Sequence, residues 1–240
     1  MGSIHHDAPD WLRNAFIRAA KGVGATATRE ELGDAAELLI DRWSTAGREF
    51  HNLAHLTATL QRVDELASAA QSPDAVRLAA WYHGAVFAAD AADAYAGRGG
   101  EQNPASAEVA RAELTALGVP PLAANHVASL ITTLLRHQPP AGNLDASVLV
   151  DADLAMLADD PQEFRLYAAA VRAEYAHIPD CDFVAARIAI IDRLLSRDRL
   201  YTTSAGAHWE TAARQNLMGE RVRLVKELTA LAAAEPVEPD

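Results

Sequence analysis

Two histidines lie four residues apart in the segment 50–55, which reads FHNLAH. On a helix, residues with this spacing project from one face, one turn apart. His51 and His55 could therefore bind a metal ion together, or one could be a ligand while the other donates a proton. The pair alone does not decide, because helices also carry histidines with a purely structural role.

Three further side chains of the same chemistry stand in apolar surroundings. His83 follows the run LAAWY at 78–82, where it is read either as a metal ligand or as a hydrogen-bonded core residue. Asp151 and Asp153 occur in the apolar segment 148–157, and a buried carboxylate is costly unless it is paired or bound to a cation. Asp151 can also be explained as the N-cap of a helix.

Other polar side chains could complete such a site. Arg48 could grip a phosphate through two parallel hydrogen bonds, or lie in solvent. His137 could touch a metal or a phosphate, or act at a helix C-terminus, where it would interact with the dipole. Asp90 and Asp93 are further carboxylates near His83 in the sequence. Charged residues in apolar helical segments are expected to pair with one another, namely Arg172, Glu174, Arg187, Glu210 and Arg214.

The elements that must position these residues are predicted to be helices. Alanine and leucine dominate the 240 residues, with only 13 Gly and 11 Pro. The segment 28–45 has amphipathic periodicity and begins with a capping box at Thr28 and Glu31. Similar periodicity recurs at 9–21, 50–70, 73–90, 104–117, 120–137, 161–177, 181–196 and 208–234. We expect a single-domain, all-α bundle of about nine or ten helices and no confident strand.

The predicted organisation leaves little outside the bundle. Residues 1–25 form a leader and the first helix, residues 26–234 the helical domain, and residues 235–240 a disordered tail. The glycine-bearing segment 96–104 and the segment 138–143 are expected to be surface loops. Both lie close in sequence to the candidate site residues, a placement that suits loops at the mouth of a pocket.

Composition restricts the partners and the compartment. The 33 acidic residues exceed the 21 basic ones, and the net charge of -12 argues against nucleic acid as a partner. His83, Asp90 and Asp93 interrupt the longest apolar run, so no membrane association is expected. Cys181 is the only cysteine and can form no internal disulfide, which fits the reducing cytoplasm. A homodimer is left open.

Taken together, the motifs resemble the HD superfamily, and within it a group of small bacterial metal-dependent phosphohydrolases. FHNLAH at 50–55 resembles the family's Tyr-His-Asn-Leu-x-His, WYHG at 81–84 resembles Trp-Phe-His-Asp, and DADL at 151–154 resembles Asp-Ala-Asp-Leu. The resemblance covers about residues 35–220. It implies an HD-type helical bundle in which His55, His83 and Asp153 bind a divalent transition metal: Mn, Fe, Co, Ni or Zn.

The resemblance also implies a reaction. His51 corresponds to a proton-donating histidine, and metal-activated water would hydrolyse a small phosphorylated metabolite or a nucleotide. We assign substrate binding to Arg48, Asn52 and His137.

Two departures from the family pattern remove carboxylates. Gly84 stands where the HD pair has its aspartate, and QNPASA at 102–107 replaces the family's Asn-Glu-Glu-x-Ser-Ala. The alternatives are a catalytically impaired member that serves as a ligand-binding or regulatory module, and a purely structural helical scaffold. Restoring the carboxylate by Gly84→Asp is expected to raise metal affinity, because it adds a hard oxygen ligand, and to be structurally mild.

Overall fold

The computed structural model describes residues 10–96 and 99–234, and within them the chain forms eleven α-helices and one two-stranded sheet. The helices are α1 Asp10–Gly22, α2 Arg29–Trp43, α3 Leu53–Leu66, α4 Pro73–Tyr82, α5 Ala91–Tyr95, α6 Asn103–Ala116, α7 Pro121–Thr133, α8 Leu144–Asp153, α9 Pro161–Glu174, α10 Asp180–Leu195 and α11 Glu210–Ala234. The strands, β1 Phe87–Ala88 and β2 Gly100–Glu101, pair antiparallel. The predicted all-α class is confirmed, although the described residues also form one short hairpin where no confident strand was predicted.

Local signals fix many of the helix starts. The Thr28 side chain accepts a hydrogen bond from the Glu31 amide while the Glu31 carboxylate accepts one from the Thr28 amide, so the predicted capping box is confirmed. α4 and α9 begin at Pro73 and Pro161, where a missing amide proton costs little.

Helix α4 lies at the centre of the bundle. It packs against α1, α3, α6, α7 and α8. Its residues are apolar on nearly every side and those from Leu78 to Tyr82 are fully buried, as expected for a helix surrounded by others. The same buried core extends from Leu12 in α1 to Leu217 in α11, so the first helix contributes to it.

Two helix ends were predicted wrongly, and helix α8 was not predicted. The segment 73–90 stops being helical at Tyr82, because the apolar residues after Gly84 turn into β1, and an apolar run does not distinguish helix from strand. The segment 120–137 ends at Thr133, ahead of a turn and two prolines. Helix α8 was missed, because it is buried on almost every side and carries no amphipathic pattern.

Buried charges pair differently from the sequence expectation. Only Glu210 and Arg214 pair with each other. Arg187 instead forms a two-bond ion pair with Glu220, at 2.9 and 3.0 Å, between α10 and α11. The predicted pairing was wrong for Arg187, because Glu220 is not among the five charged residues that were expected to pair with one another.

The ends of the chain and membrane association complete the comparison. The predicted tail, 235–240, and residues 1–9 of the predicted leader lie outside the described residues. Among the helices of residues 10–96 and 99–234, none combines the length and the apolar character needed to cross a bilayer.

Candidate metal centre

Three helix ends bring the predicted ligands together. His55 lies in the first turn of α3, His83 directly follows α4, and Asp153 is the last residue of α8. The two Nε2 atoms of the histidines are 3.4 Å apart, and each lies 3.4 Å from Oδ1 of Asp153. The predicted convergence of these residues is confirmed, although 98 positions separate the first from the last.

Their spacing matches that of atoms sharing one metal ion. Bonds of about 2.0–2.2 Å in a tetrahedral arrangement place neighbouring ligand atoms about 3.3–3.6 Å apart. The three separations of 3.4 Å fall in this range. All three residues are buried, and burying polar atoms is costly unless they have a partner. This cluster of nitrogens and oxygens therefore fits a bound cation better than an ordinary packed core.

A fourth candidate ligand comes from the hairpin. Oε1 of Glu101 lies 3.1 Å from Nε2 of His83 and 4.0 Å from Nε2 of His55, and these three residues form a group that could hold a metal ion. Pairing of Glu101 with Phe87 across the hairpin fixes this position. Gly100 precedes it with a φ of 94°, a left-handed conformation that favours glycine.

Sequence reasoning missed Glu101. The departure from the family pattern lies at 102–107, one residue after Glu101, and the segment 96–104 was predicted to be a surface loop at the mouth of a pocket, without a ligand. The available signal was a carboxylate directly after two glycines, Gly99 and Gly100, in a segment already placed beside the site. Only the hairpin register shows that this carboxylate meets His83.

The position of the missing aspartate has no room for a side chain. A Cβ atom on Gly84 would lie 2.2 Å from Cη2 of Trp43. Trp43 is fully buried, its Nε1 donates to the Trp81 carbonyl at 2.9 Å, and its ring lies 4.9 Å from that of His83. The expectation that Gly84→Asp is mild was therefore wrong: Gly84 lies in a buried turn against a fixed indole and not within a helix.

Hydrogen bonds outside the cluster orient two of the ligands. Nδ1 of His83 lies 2.6 Å from the Ala80 carbonyl, so it carries the proton and leaves the Nε2 lone pair for a metal. Nε2 of His137 lies 2.9 Å from Oδ2 of Asp153 and leaves Oδ1 to face the two histidines. Such supporting contacts typically hold metal ligands in place.

The electrostatics of the centre favour a bound cation. Oδ1 of Asp153 and Oε1 of Glu101 are buried and accept no hydrogen bond. Burial would raise the pKa of Asp153, but the hydrogen bond between His137 and Oδ2 and the nearby imidazoles of His55 and His83 hold it well below its usual range. Burial opposes ionisation of Glu101 as well, yet the charges of His83 and His51 lower its pKa to about 2. Two buried carboxylates thus remain ionised because the imidazoles beside them supply positive charge, and a metal ion bound between these groups would supply the same charge.

His51 lies beside the cluster, before α3 and not on it. Its ring centroid is 5.7 Å from that of His55. Its Nδ1 is 2.7 Å from Oε2 of Glu174, and its backbone amide donates to Oε1 of the same carboxylate at 2.7 Å. Burial would lower the pKa of His51, but the bond to Glu174 and the charges of nearby carboxylates raise it. The shared helix face expected from the spacing was wrong, although both imidazoles meet at one site.

The residues assigned to substrate binding have distinct surroundings. Asn52 is the N-cap of α3, and its amide is engaged with the backbone of Ala54, His55 and Glu49. Its contact with substrate stays a prediction.

Arg48 lines a cavity of about 420 Å³ together with Phe87 and Glu174, both of which contact His51. Its Nη1 donates to the carbonyls of His51 and Gly84, and its guanidinium lies over the rings of Trp43 and Phe87. The cavity is therefore bordered by residues that contact His51.

The remaining candidates separate into ligand support and structure. His137 lies beyond the end of α7 and touches Asp153, so the helix-end role was wrong. Asp151 lies in the last turn of α8 and accepts the amides of Thr202 and Thr203, so the N-cap interpretation was wrong as well. Asp90 caps α5 and takes no part in the cluster.

Comparison of the chain with protein-family models, with curated proteins and with solved structures gave no match.

Proposed function

We propose that this protein is a metal-dependent phosphohydrolase of the HD type that acts on a small phosphorylated metabolite or a nucleotide. The observation that carries the proposal is the group of His55, His83 and Glu101 with Asp153 3.4 Å from both histidines, in which two buried carboxylate oxygens have no hydrogen-bond partner. A reducing cytoplasm is the proposed location, because the single cysteine forms no internal disulfide.

Two nitrogens and two oxygens would hold the metal. This donor set suits Mn, Fe, Co, Ni or Zn. When bound, the metal would supply Lewis-acid activation of water and of the phosphoryl group. Glu101 takes over the ligand position that Gly84 leaves without a carboxylate, so the departure from the family pattern does not require a loss of activity.

His51 is proposed as the general acid. Glu174 accepts a hydrogen bond from the Nδ1–H of His51 and so fixes the orientation of the ring, which leaves Nε2 to donate a proton to the leaving oxygen as the phosphorus–oxygen bond breaks. The His51 side chain is 20% exposed, enough to meet a substrate from the solvent side.

Substrate would enter through the cavity beside His51. The guanidinium of Arg48 is positioned there by two carbonyls and two aromatic rings, and it forms no ion pair with a carboxylate of the described residues. Such a preorganised guanidinium suits a phosphate group.

The test is phosphate release from a panel of phosphate esters and nucleotides with added Mn, Co, Ni, Fe or Zn. We expect metal-dependent turnover. His51→Gln should lower kcat about 10²–10⁴-fold, as typical for loss of a general acid, while the metal content stays unchanged. His208→Gln, a change to an exposed histidine, is the matched control.

The second candidate is a binding module without turnover, favoured by the absence of a carboxylate at Gly84. Binding of metal and of a phosphate ester without release of phosphate under any metal would establish it. Such a result would reject the phosphohydrolase.

A further inference from the structure

A second cavity, of about 560 Å³, lies next to His137 and is lined by residues of the segments 137–139 and 193–202. Three arginines, Arg193, Arg197 and Arg199, contribute to its wall, against a single carboxylate from Asp198. Its walls therefore carry surplus positive charge, although the whole chain has a net charge of -12.

The arginines of the cavity differ from neighbouring arginines on α10 and α11. Arg187, Arg214 and Arg221 pair with Glu220, Glu210 and Asp192. By contrast, no carboxylate of residues 10–96 and 99–234 forms an ion pair with a guanidinium of the cavity. Positive charges grouped around a cavity repel one another. A bound anion would offset this repulsion, so the group favours anion binding.

The backbone holds one guanidinium of the cationic wall in place before any ligand binds. Arg197 donates from Nη1 to the His137 carbonyl at 2.7 Å and from Nη2 to the Arg136 carbonyl at 2.8 Å, while its Nε is buried without a partner. Arg214 donates to the carbonyl of Arg197 at 2.6 Å and so fixes the loop. This preorganisation lowers the entropic cost of binding.

We propose that this cavity binds the phosphate group of a small ligand at a site separate from the metal centre. Guanidinium groups match phosphate oxygens through paired, charge-assisted hydrogen bonds. The volume falls within the range of small-ligand pockets, so the site accommodates a ligand larger than phosphate itself. His137 links the two places, because its carbonyl meets Arg197 and its ring meets Asp153.

The test is calorimetric titration of metal-free full-length protein with pyrophosphate and with inorganic phosphate. The double variant Arg193→Ala/Arg199→Ala removes two exposed guanidiniums and spares Arg197, which supports the backbone. We expect it to weaken pyrophosphate binding about tenfold or more, as for loss of charge-assisted hydrogen bonds. Tighter binding of pyrophosphate than of phosphate would indicate a ligand with more than one phosphoryl group.

The control variant Arg165→Ala/Arg223→Ala removes the same charge from exposed positions on α9 and α11. It should leave the affinity within about twofold, because salt screens distant charges. An equal loss in both double variants would show a general charge effect and overturn the proposal. Absence of pyrophosphate binding to the unsubstituted protein would overturn it as well.

Glu101→Gln distinguishes pyrophosphate binding at this cavity from binding at the metal centre. This variant changes the centre without removing volume, and it should bind pyrophosphate like the unsubstituted protein. A large change in affinity would place the anion at the metal centre and contradict a separate site.

Discussion

Gly84→Ala adds one methyl group where the buried turn meets Trp43. The new Cβ would lie 2.2 Å from the indole, about 1.2 Å short of the ordinary contact that begins near 3.4 Å. The indole cannot easily withdraw, because it is fully buried and its Nε1 is bound to the Trp81 carbonyl. Overpacking of this kind costs about 1–3 kcal/mol.

The net effect on the free energy of unfolding is smaller than this cost. Replacing glycine by alanine reduces the entropy of the unfolded chain, which returns about 0.4–1 kcal/mol. We therefore expect Gly84→Ala to destabilise the protein by up to about 2.6 kcal/mol and to lower Tm by roughly 2–4 °C per kcal/mol. Urea and thermal unfolding of metal-free protein, followed by circular dichroism, measure both quantities.

Gly219→Ala is the matched control. Gly219 lies exposed in α11, and a Cβ there would meet nothing within 4 Å. The substitution should stabilise the protein by up to about 1 kcal/mol through helix propensity. If Gly84→Ala raises stability as Gly219→Ala does, the packing argument is refuted, and the space for the missing aspartate is open after all.

Two further predictions concern buried charges. In metal-free protein, the ion pair of Glu174 with His51 should make the wild-type chain more stable than Glu174→Gln, most of all between about pH 4.5 and 6.5, the ordinary pKa values of the two side chains. Below this window the added stability falls as Glu174, whose pKa is lowered, becomes protonated. Above it the added stability falls as His51, whose pKa is raised, loses its proton. Thermal melts of both forms from about pH 4 to 9 measure this, and a pH-independent difference would contradict the ion pair. Arg187→Ala should lower the free energy of unfolding by about 3–5 kcal/mol, because it leaves the Glu220 carboxylate buried without an ion-pair partner. Urea unfolding measures this loss. A loss below about 1 kcal/mol would mean that Glu220 reaches solvent in the variant.

The sequence was sufficient for much of the fold. Amphipathic periodicity, the capping box at Thr28 and the prolines at helix starts predicted most of the helices. Periodicity could not reveal α8, because a helix buried on nearly every side has no polar face. It also could not end α4 at Tyr82, because the following apolar residues have the same composition whether they continue the helix or form a strand.

The candidate site divides in a similar way. Residue type and resemblance identified His55, His83 and Asp153, which the structure brings together. Glu101 was missed, because two glycines before a carboxylate are a weak signal and its contact with His83 depends on the register of a two-residue strand pair. The occupied space at Gly84 depends in turn on the packing of Trp43, 41 positions earlier, and no local pattern encodes such a contact.

The metal content of the protein tests the four-ligand centre most directly. Protein purified without chelators should contain one divalent transition metal per chain. Glu101→Gln should weaken metal binding by at least about a hundredfold, since loss of a supporting residue outside the ligand shell already costs 10–100-fold. Glu108→Gln, an exposed change on α6, should bind metal like the unsubstituted protein. Substoichiometric metal that no titration raises, or equal affinity in Glu101→Gln, would contradict the centre.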